Sequence, residues 1–189
     1  MERLIEQLKS LDEQTFLFLN NLHTPFLDVL MPWITARNTW IPLYLLIIVL
    51  IFRFYPKKQA IVTILYLVAS VGLADFITSG IMKPFFERPR PCHNPFFDGL
   101  LHVLGNCGGK YGFASSHAAN SFALFGGLFF IIKKNRILVL IMLLWAILVS
   151  YSRMYVGVHY FADVLIGALI GFSSSFINFS ILNKLINKK

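Results

Sequence analysis

The sequence predicts an all-α integral membrane protein, a polytopic helix bundle of about five transmembrane helices, with six as the alternative, preceded by interfacial N-terminal helices. Three observations lead there. Apolar residues make up 57% of the chain, against roughly 45–50% in soluble domains, and charged residues 14%, against about 25%. The mean hydropathy is +0.67. The apolar residues, 19 Phe among them, gather in runs of membrane-spanning length. This composition excludes a water-soluble core, intrinsic disorder and a disulfide-dense miniprotein. The length of 189 residues fits one domain, residues 1–189, with 1–37 as an interfacial N-terminal region and 83–113 as a loop outside the bilayer.

Each element follows from the need for about 20 helical residues to cross a roughly 30 Å hydrocarbon layer. Residues Met1 to Glu13 are amphipathic and acidic, unlike a cleavable signal peptide. The stretch from Thr15 to Ala36 is rich in Phe and Leu but carries Asn20, Asn21, His23, Pro25, Asp28 and Pro32, which are costly at the bilayer centre. It is read as one or two interfacial helices, and a sixth span there is the alternative. The five expected spans are Asn38–Tyr55, Ala60–Met82, Ser115–Ile132, Ile137–Ser152 and Tyr160–Leu182.

Five spans divide the basic residues between two sides. One side holds Arg53, Lys57, Lys58, Lys133, Lys134, Arg136, Lys184, Lys188 and Lys189 without any acid, which marks it as cytoplasmic by the positive-inside bias. The other side, expected to be extracytoplasmic, has the remaining eight Lys and Arg, several of which belong to polar clusters. The net charge of +8 therefore reflects membrane topology and ligand binding; no continuous basic stripe suggests nucleic acid.

Three clusters on that second side carry the chemistry. Lys83, Glu87, Arg88 and Arg90 are interleaved with Pro84, Pro89 and Pro91, which fix the backbone and hold the cations in place. Fixed cations suit an anionic, oxygen-rich ligand. Ser115, Ser116 and His117 open the third span; the serines alone read as helix caps, but a histidine at a helix start adds a proton donor to an anion site. Arg153, His159 and Asp163 complete the set. His159 and Asp163 are four apart, on one helical face, so the carboxylate can fix the imidazole tautomer and leave the other nitrogen as a nucleophile. The residues lack zinc-type spacing and a glycine-rich nucleotide cradle, and neither a cofactor nor a catalytic metal is expected.

The order Lys83-x6-Arg90-Pro91, Ala114-Ser115-Ser116-His117, Ser152-Arg153-x5-His159-x3-Asp163 resembles the three-part signature of the type 2 phosphatidic acid phosphatase superfamily, shared with vanadium haloperoxidases. The resemblance covers about residues 60 to 182. It implies a metal-independent phosphatase in which His159 attacks phosphorus and becomes a phosphohistidine, Asp163 orients it, and His117 protonates the leaving oxygen. Lys83, Arg90, Arg153, Ser115 and Ser116 would bind the phosphoryl oxygens. The family's second motif usually reads Pro-Ser-Gly-His; here Ala114 and Ser116 replace the Pro and Gly, and the Ser116 hydroxyl either donates to the phosphate or narrows the pocket.

The partner so implied is a phosphorylated lipid in the cell membrane, met at the extracytoplasmic surface. Undecaprenyl pyrophosphate ranks first by a narrow margin, ahead of phosphatidylglycerol phosphate, phosphatidic acid and lipid A. A non-catalytic carrier of phosphorylated lipid is the alternative from another class, and a haloperoxidase is disfavoured by the membrane spans. Among the remaining residues, Cys92 and Cys107 share the outer loop and are expected to pair, while His93 and His102 are expected to be solvated rather than metal ligands. Phe96 and Phe97 are expected at the lipid, Asp75 hydrogen-bonded within the bundle, and Gly167 and Gly171 at a close helix crossing.

Overall fold

The computed structural model describes residues 2–132 and 134–186; Lys133, Lys188 and Lys189 of the basic end lie outside the described residues. The chain begins with α1 (Glu2–Asn20) and α2 (Pro25–Thr35), and a 3-10 turn (Arg37–Trp40) leads into α3 (Ile41–Phe54). Helix α4 (Lys57–Asp75) continues through a π-helical stretch (Phe76–Met82) into α5 (Lys83–Phe86). After a long loop come α6 (Ser116–Ile132), α7 (Arg136–Tyr155) and α8 (Phe161–Ile186).

The apolar crossings run Arg37–Phe54, Lys57–Phe86, Arg136–Tyr155 and Phe161–Lys184, with the shorter Ser116–Ile132 between them. These are the five expected spans. None starts before Arg37 among the described residues, so the sixth span is not found. Large apolar side chains on the outer faces, such as Leu45, Val49, Leu65, Val68, Leu144, Leu169 and Phe176, stand exposed, as lipid-facing residues must. The second crossing runs past its expected end at Met82. Pro84 removes one helical N–H and crowds the carbonyl of residue 80, and the π-helical widening lies immediately before it, so the helix carries on instead of breaking there.

Helices α6 and α8 form the centre of the bundle. Their contact depends on Gly167 and Gly171, as expected: a Cβ at Gly167 would strike the Ser115 carbonyl oxygen, and one at Gly171 would fall on the Ala119 carbonyl and 2.8 Å from the Ala123 nitrogen. Ser175 Oγ donates to the Ala123 carbonyl across the same seam at 2.6 Å.

Helix α1 lies across the end of the bundle that carries the three motifs. Its face Asp12, Phe16, Asn20, spaced by four, turns inward. Asp12 reaches the start of α8, Phe16 is fully buried against Phe97 and Tyr160, and Asn20 is fully buried. The two Asn20 Nδ2 hydrogens are shared among the carbonyls of Tyr155 (2.8 Å), Met154 (3.0 Å) and His102 (2.9 Å), which ties α1 to the end of α7 and to the loop. Nearer the start of α1, Leu4, Ile5, Leu8 and Leu11 are exposed.

Two loop expectations need correction. Phe97 is 1% exposed and packs under α1, while Phe96 alone stays open; the 3-10 turn Pro95–Phe97 directs the two rings oppositely. His102 is not simply solvated: its Nε2 meets Asp28 Oδ1 at 2.7 Å. His93 is exposed, as expected, with its Nε2 3.3 Å from the Gly108 carbonyl. Cys92 and Cys107 are joined in a disulfide. Closing a loop of this length restricts the unfolded chain by about 3 kcal/mol, so replacing both cysteines by serine is expected to lower the melting temperature in detergent by several degrees; an unchanged melting curve contradicts this.

Candidate active site

The site is assembled at helix ends. Helix α7 stops at Tyr155 because Gly157 takes φ +78, a conformation glycine adopts without steric cost. The Gly157 N–H then donates to the Met154 carbonyl (3.0 Å) and the Val158 N–H to the Arg153 carbonyl (3.1 Å), the paired bonds of a Schellman turn. This turn swings the chain back so that His159 follows directly on the helix that carries Arg153.

Helix α8 begins two residues later and receives its cap from two carboxylates. Asp163 Oδ2 accepts the Tyr160 N–H at 3.1 Å, half of a capping box, and sits 3.3 Å from His159 Nδ1. Asp12 Oδ1 accepts the Ala162 N–H at 2.7 Å, a capping bond supplied by a helix 150 residues earlier in the chain. Asp163 is fully buried, and Arg88 balances it with NH1 on Asp163 Oδ1 at 2.9 Å. The same guanidinium binds Asp12 at 2.7 Å and lies 3.9 Å from the centre of the Tyr160 ring.

His159 is 2% exposed. Burial, then the charges of Arg153, Arg90, Lys83 and Arg88, push its pKa well below the usual histidine value, so the ring is neutral at physiological pH. Neutrality leaves Nε2 as an acceptor or nucleophile once Nδ1–H is held by Asp163. The loop that brings Arg90 in is pinned by the Arg90 N–H on the Lys110 carbonyl (3.2 Å) and the Gly112 N–H on the Arg88 carbonyl (2.9 Å). Gly112 is required by proximity: a Cβ there would lie 3.1 Å from Arg90 Cγ and 3.2 Å from Asp163 Oδ2.

The second motif is placed by α6. The Ser115 N–H donates to the Asp163 carbonyl at 2.9 Å, which ties the starts of α6 and α8 together. Neither serine acts as a side-chain cap. Ser115 Oγ is buried without a protein partner, as are Arg90 Nε and Arg153 Nε. Three buried donors on residues expected to hold phosphate therefore remain open, a strong signal because such groups are otherwise paired.

Ser116 corrects an expectation. Its hydroxyl is bonded by Thr78 (3.0 Å), Ser79 (2.9 Å) and the Lys83 ammonium, so it is engaged with the π-helical stretch and holds Lys83 in place. Arg153 NH1 is bonded to Thr35 Oγ1, and His117 lies within reach of the Thr35 backbone. Asp75 accepts from Asn120 Nδ2 at 3.0 Å, the intrabundle bond expected of it.

The His117 side of the site opens into a cavity of about 650 Å³ between α3, α4, α6 and α7. Its head is polar, with Arg37, Asp75, Ser79, Ser116, His117 and Asn120; its length is lined by apolar residues such as Tyr44, Ile51, Ile64 and Leu67. From Tyr44 to Ile51 it follows about 10 Å of α3 at 1.5 Å per residue.

The PAP2 superfamily model matches residues 63–187, most of the chain. The chain belongs to the PAP2 superfamily. Among its PAP2 relatives, the lipid A 4'-phosphatase of Bacteroides thetaiotaomicron is 35% identical over 184 residues, covering 96% of this chain and 81% of that protein. The lipid A 4'-phosphatase of Porphyromonas gingivalis is 36% identical over 172 residues, covering 88% and 71%. Among solved PAP2 structures, Aquifex aeolicus LpxE superposes with a TM-score of 0.73 at 26% identity, covering 90% of this chain and 95% of that one. The protein is a membrane-embedded lipid phosphatase that hydrolyses a phosphate monoester. Arg88, Asp12 and Arg37 were not singled out as site residues by sequence; Arg88 stood in a recognised basic cluster, but its acidic partner from α1 carries no local signal.

Arg88 therefore has a testable role in this PAP2 protein. Arg88→Ala leaves the fully buried Asp163 without its cationic partner, a loss worth about 3–5 kcal/mol for buried pairs. The expected result is a drop in kcat of at least tenfold together with a lower melting temperature, whereas unchanged kinetics and stability would show that the ion pair is dispensable.

Proposed function

We propose that this protein removes a phosphate monoester from a glycolipid of the lipid A type, at the extracytoplasmic surface of the cell membrane, through a phosphohistidine. The observation that carries this reading is a buried neutral His159, backed by Asp163 and surrounded by cations, beside a His117 that heads a long apolar cavity. The relatives' names favour lipid A over the undecaprenyl pyrophosphate ranked first from sequence.

In this mechanism Lys83, Arg90 and Arg153 neutralise the phosphoryl oxygens, with Ser115 Oγ and the free N–H groups at the start of α6 adding donors. His159 Nε2 attacks phosphorus, and the P–O bond to the lipid breaks. His117 gives its proton to the leaving sugar oxygen, and acyl chains occupy the cavity between α3 and α4. Water, deprotonated by His117, then attacks the phosphohistidine and releases phosphate. Asp163 stays ionised throughout and stabilises the positive charge on the His159 ring. None of these steps calls on a metal ion.

The test is phosphate release by the detergent-purified protein, with EDTA present, from lipid A, phosphatidylglycerol phosphate, phosphatidic acid and undecaprenyl pyrophosphate. Preferential release from lipid A supports the proposal; preference for another lipid reassigns the substrate and keeps the mechanism. Binding without release from any of them favours a carrier.

A further inference from the structure

The loop His102 and the N-terminal turn meet in a cluster outside the phosphate pocket. His23, Asp28 and His102 each direct a ligand-type atom, imidazole nitrogen or carboxylate oxygen, to within 4.8 Å of the others. His102 Nε2 lies 2.7 Å from Asp28 Oδ1, and the His23 ring stacks on the His102 ring at 4.0 Å with 9° between planes. The His102–Asp28 bond accounts for those two residues by itself. It does not account for His23, which is exposed, shows no side-chain hydrogen bond, and still lies flat against its neighbour.

We propose that His23, Asp28 and His102 form a binding site for a divalent transition-metal ion, zinc in the first instance. Two imidazoles and one carboxylate are a borderline-soft donor set that selects zinc over magnesium or calcium. Tetrahedral coordination at about 2.0–2.1 Å places donors about 3.3 Å apart, so His102 Nε2 and Asp28 Oδ1, now 2.7 Å apart, open by about 0.6 Å and the other pairs close by at most about 1.5 Å. The entry path is open at His23, and the fourth position is left to water.

The Asp28 carboxylate and the His102 backbone are held from behind. Ligating carboxylates and histidines are held from behind by further hydrogen bonds. Here Tyr155 OH donates to Asp28 Oδ1 at 2.6 Å, and Asn20 fixes the His102 backbone from both sides, accepting its N–H and donating to its carbonyl at 2.9 Å each. Binding replaces the proton shared by His102 and Asp28, requires both imidazoles neutral, and breaks no covalent bond. The ion ties the α1–α2 turn and the disulfide-closed loop to the end of α7, two residues beyond Arg153.

The experiment is calorimetric titration of the EDTA-stripped, dialysed, detergent-solubilised full chain with zinc chloride. We expect one saturable equivalent per chain, an affinity at least tenfold weaker in His23→Ala, and an unchanged affinity in His93→Ala, which removes a histidine of the same loop. Zinc should raise the melting temperature of the wild type and of His93→Ala, and not of His23→Ala. His23→Ala is informative because it removes no hydrogen bond, and its melting temperature without zinc reports directly whether it folds. The absence of saturable binding by the wild type, equal binding by His23→Ala, or loss of binding in His93→Ala overturns the site.

Discussion

Phosphate release is expected to fall by about 10⁴-fold or more in His159→Ala, the scale seen when a nucleophile is deleted. The size of the effect follows from the position of the ring. His159 is buried, its Nδ1 is 3.3 Å from Asp163, and four cations surround it, so no neighbouring group can take its place. Quenching the wild type during turnover with radiolabelled lipid should trap an acid-labile, base-stable phosphoenzyme that His159→Ala lacks. A His159→Ala protein that folds and still turns over at a tenth of the normal rate would remove the nucleophile assignment.

The same ring gives the pH dependence a sign. Its folded pKa lies well below the ordinary 6.5, so the nucleophile of the free enzyme stays deprotonated as pH falls through that value. The unfolded chain takes up this proton first, so this group makes the fold less stable as pH drops below about 6.5. Asp28 acts with the same sign at lower pH. The bond from Tyr155 lowers its pKa most, burial opposes that, and the contact with His102 adds to the lowering, so it lies below its usual 3.8. Its contribution is present above that value and is lost as pH falls through the lowered one.

The second large effect is expected at Gly171. Gly171→Leu places a side chain where its Cβ alone would already fall on the Ala119 carbonyl and 2.8 Å from the Ala123 nitrogen. Backbone cannot yield as a flexible side chain does, so α6 and α8 must separate. Overpacking in a tight core costs about 1–3 kcal/mol, and a backbone collision at the central seam costs more. The expected result is little or no monodisperse protein in detergent. Gly167→Ala is the milder probe: its methyl presses on the Ser115 carbonyl and so displaces the helix start that carries Ser115 to His117, reducing kcat more than stability. A fully active, wild-type-stable Gly171→Leu would show that the helix crossing is looser than drawn.

Much of this was legible in the chain itself. The five spans follow from hydropathy, because lipid demands a continuous apolar run and every backbone group satisfied within its own helix. His159 and Asp163 share a helical face by spacing alone, and Gly167 and Gly171 announce a close crossing. Lys83 and Arg90 stand out in the sequence, although their placement rests on Ser116 and on the backbone of Lys110 and Gly112. The match to the family signature ordered these parts without any coordinate.

What the sequence by itself determined, then, is the set of groups with local cause: the spans, the end of the bundle on which the motifs gather, and the residues proposed to bear the chemistry. Only the tertiary structure decided which of them touch. Asp12 caps α8 from 150 residues away, Arg88 spends its charge on Asp163 rather than on phosphate, the Ser116 hydroxyl is taken by Lys83, and His23 meets His102 across 79 positions. A helix cap, an ion pair or a ligand set depends on distances of about 3 Å, and between helices those distances are set by packing of the whole bundle. Neither periodicity nor a short motif encodes them.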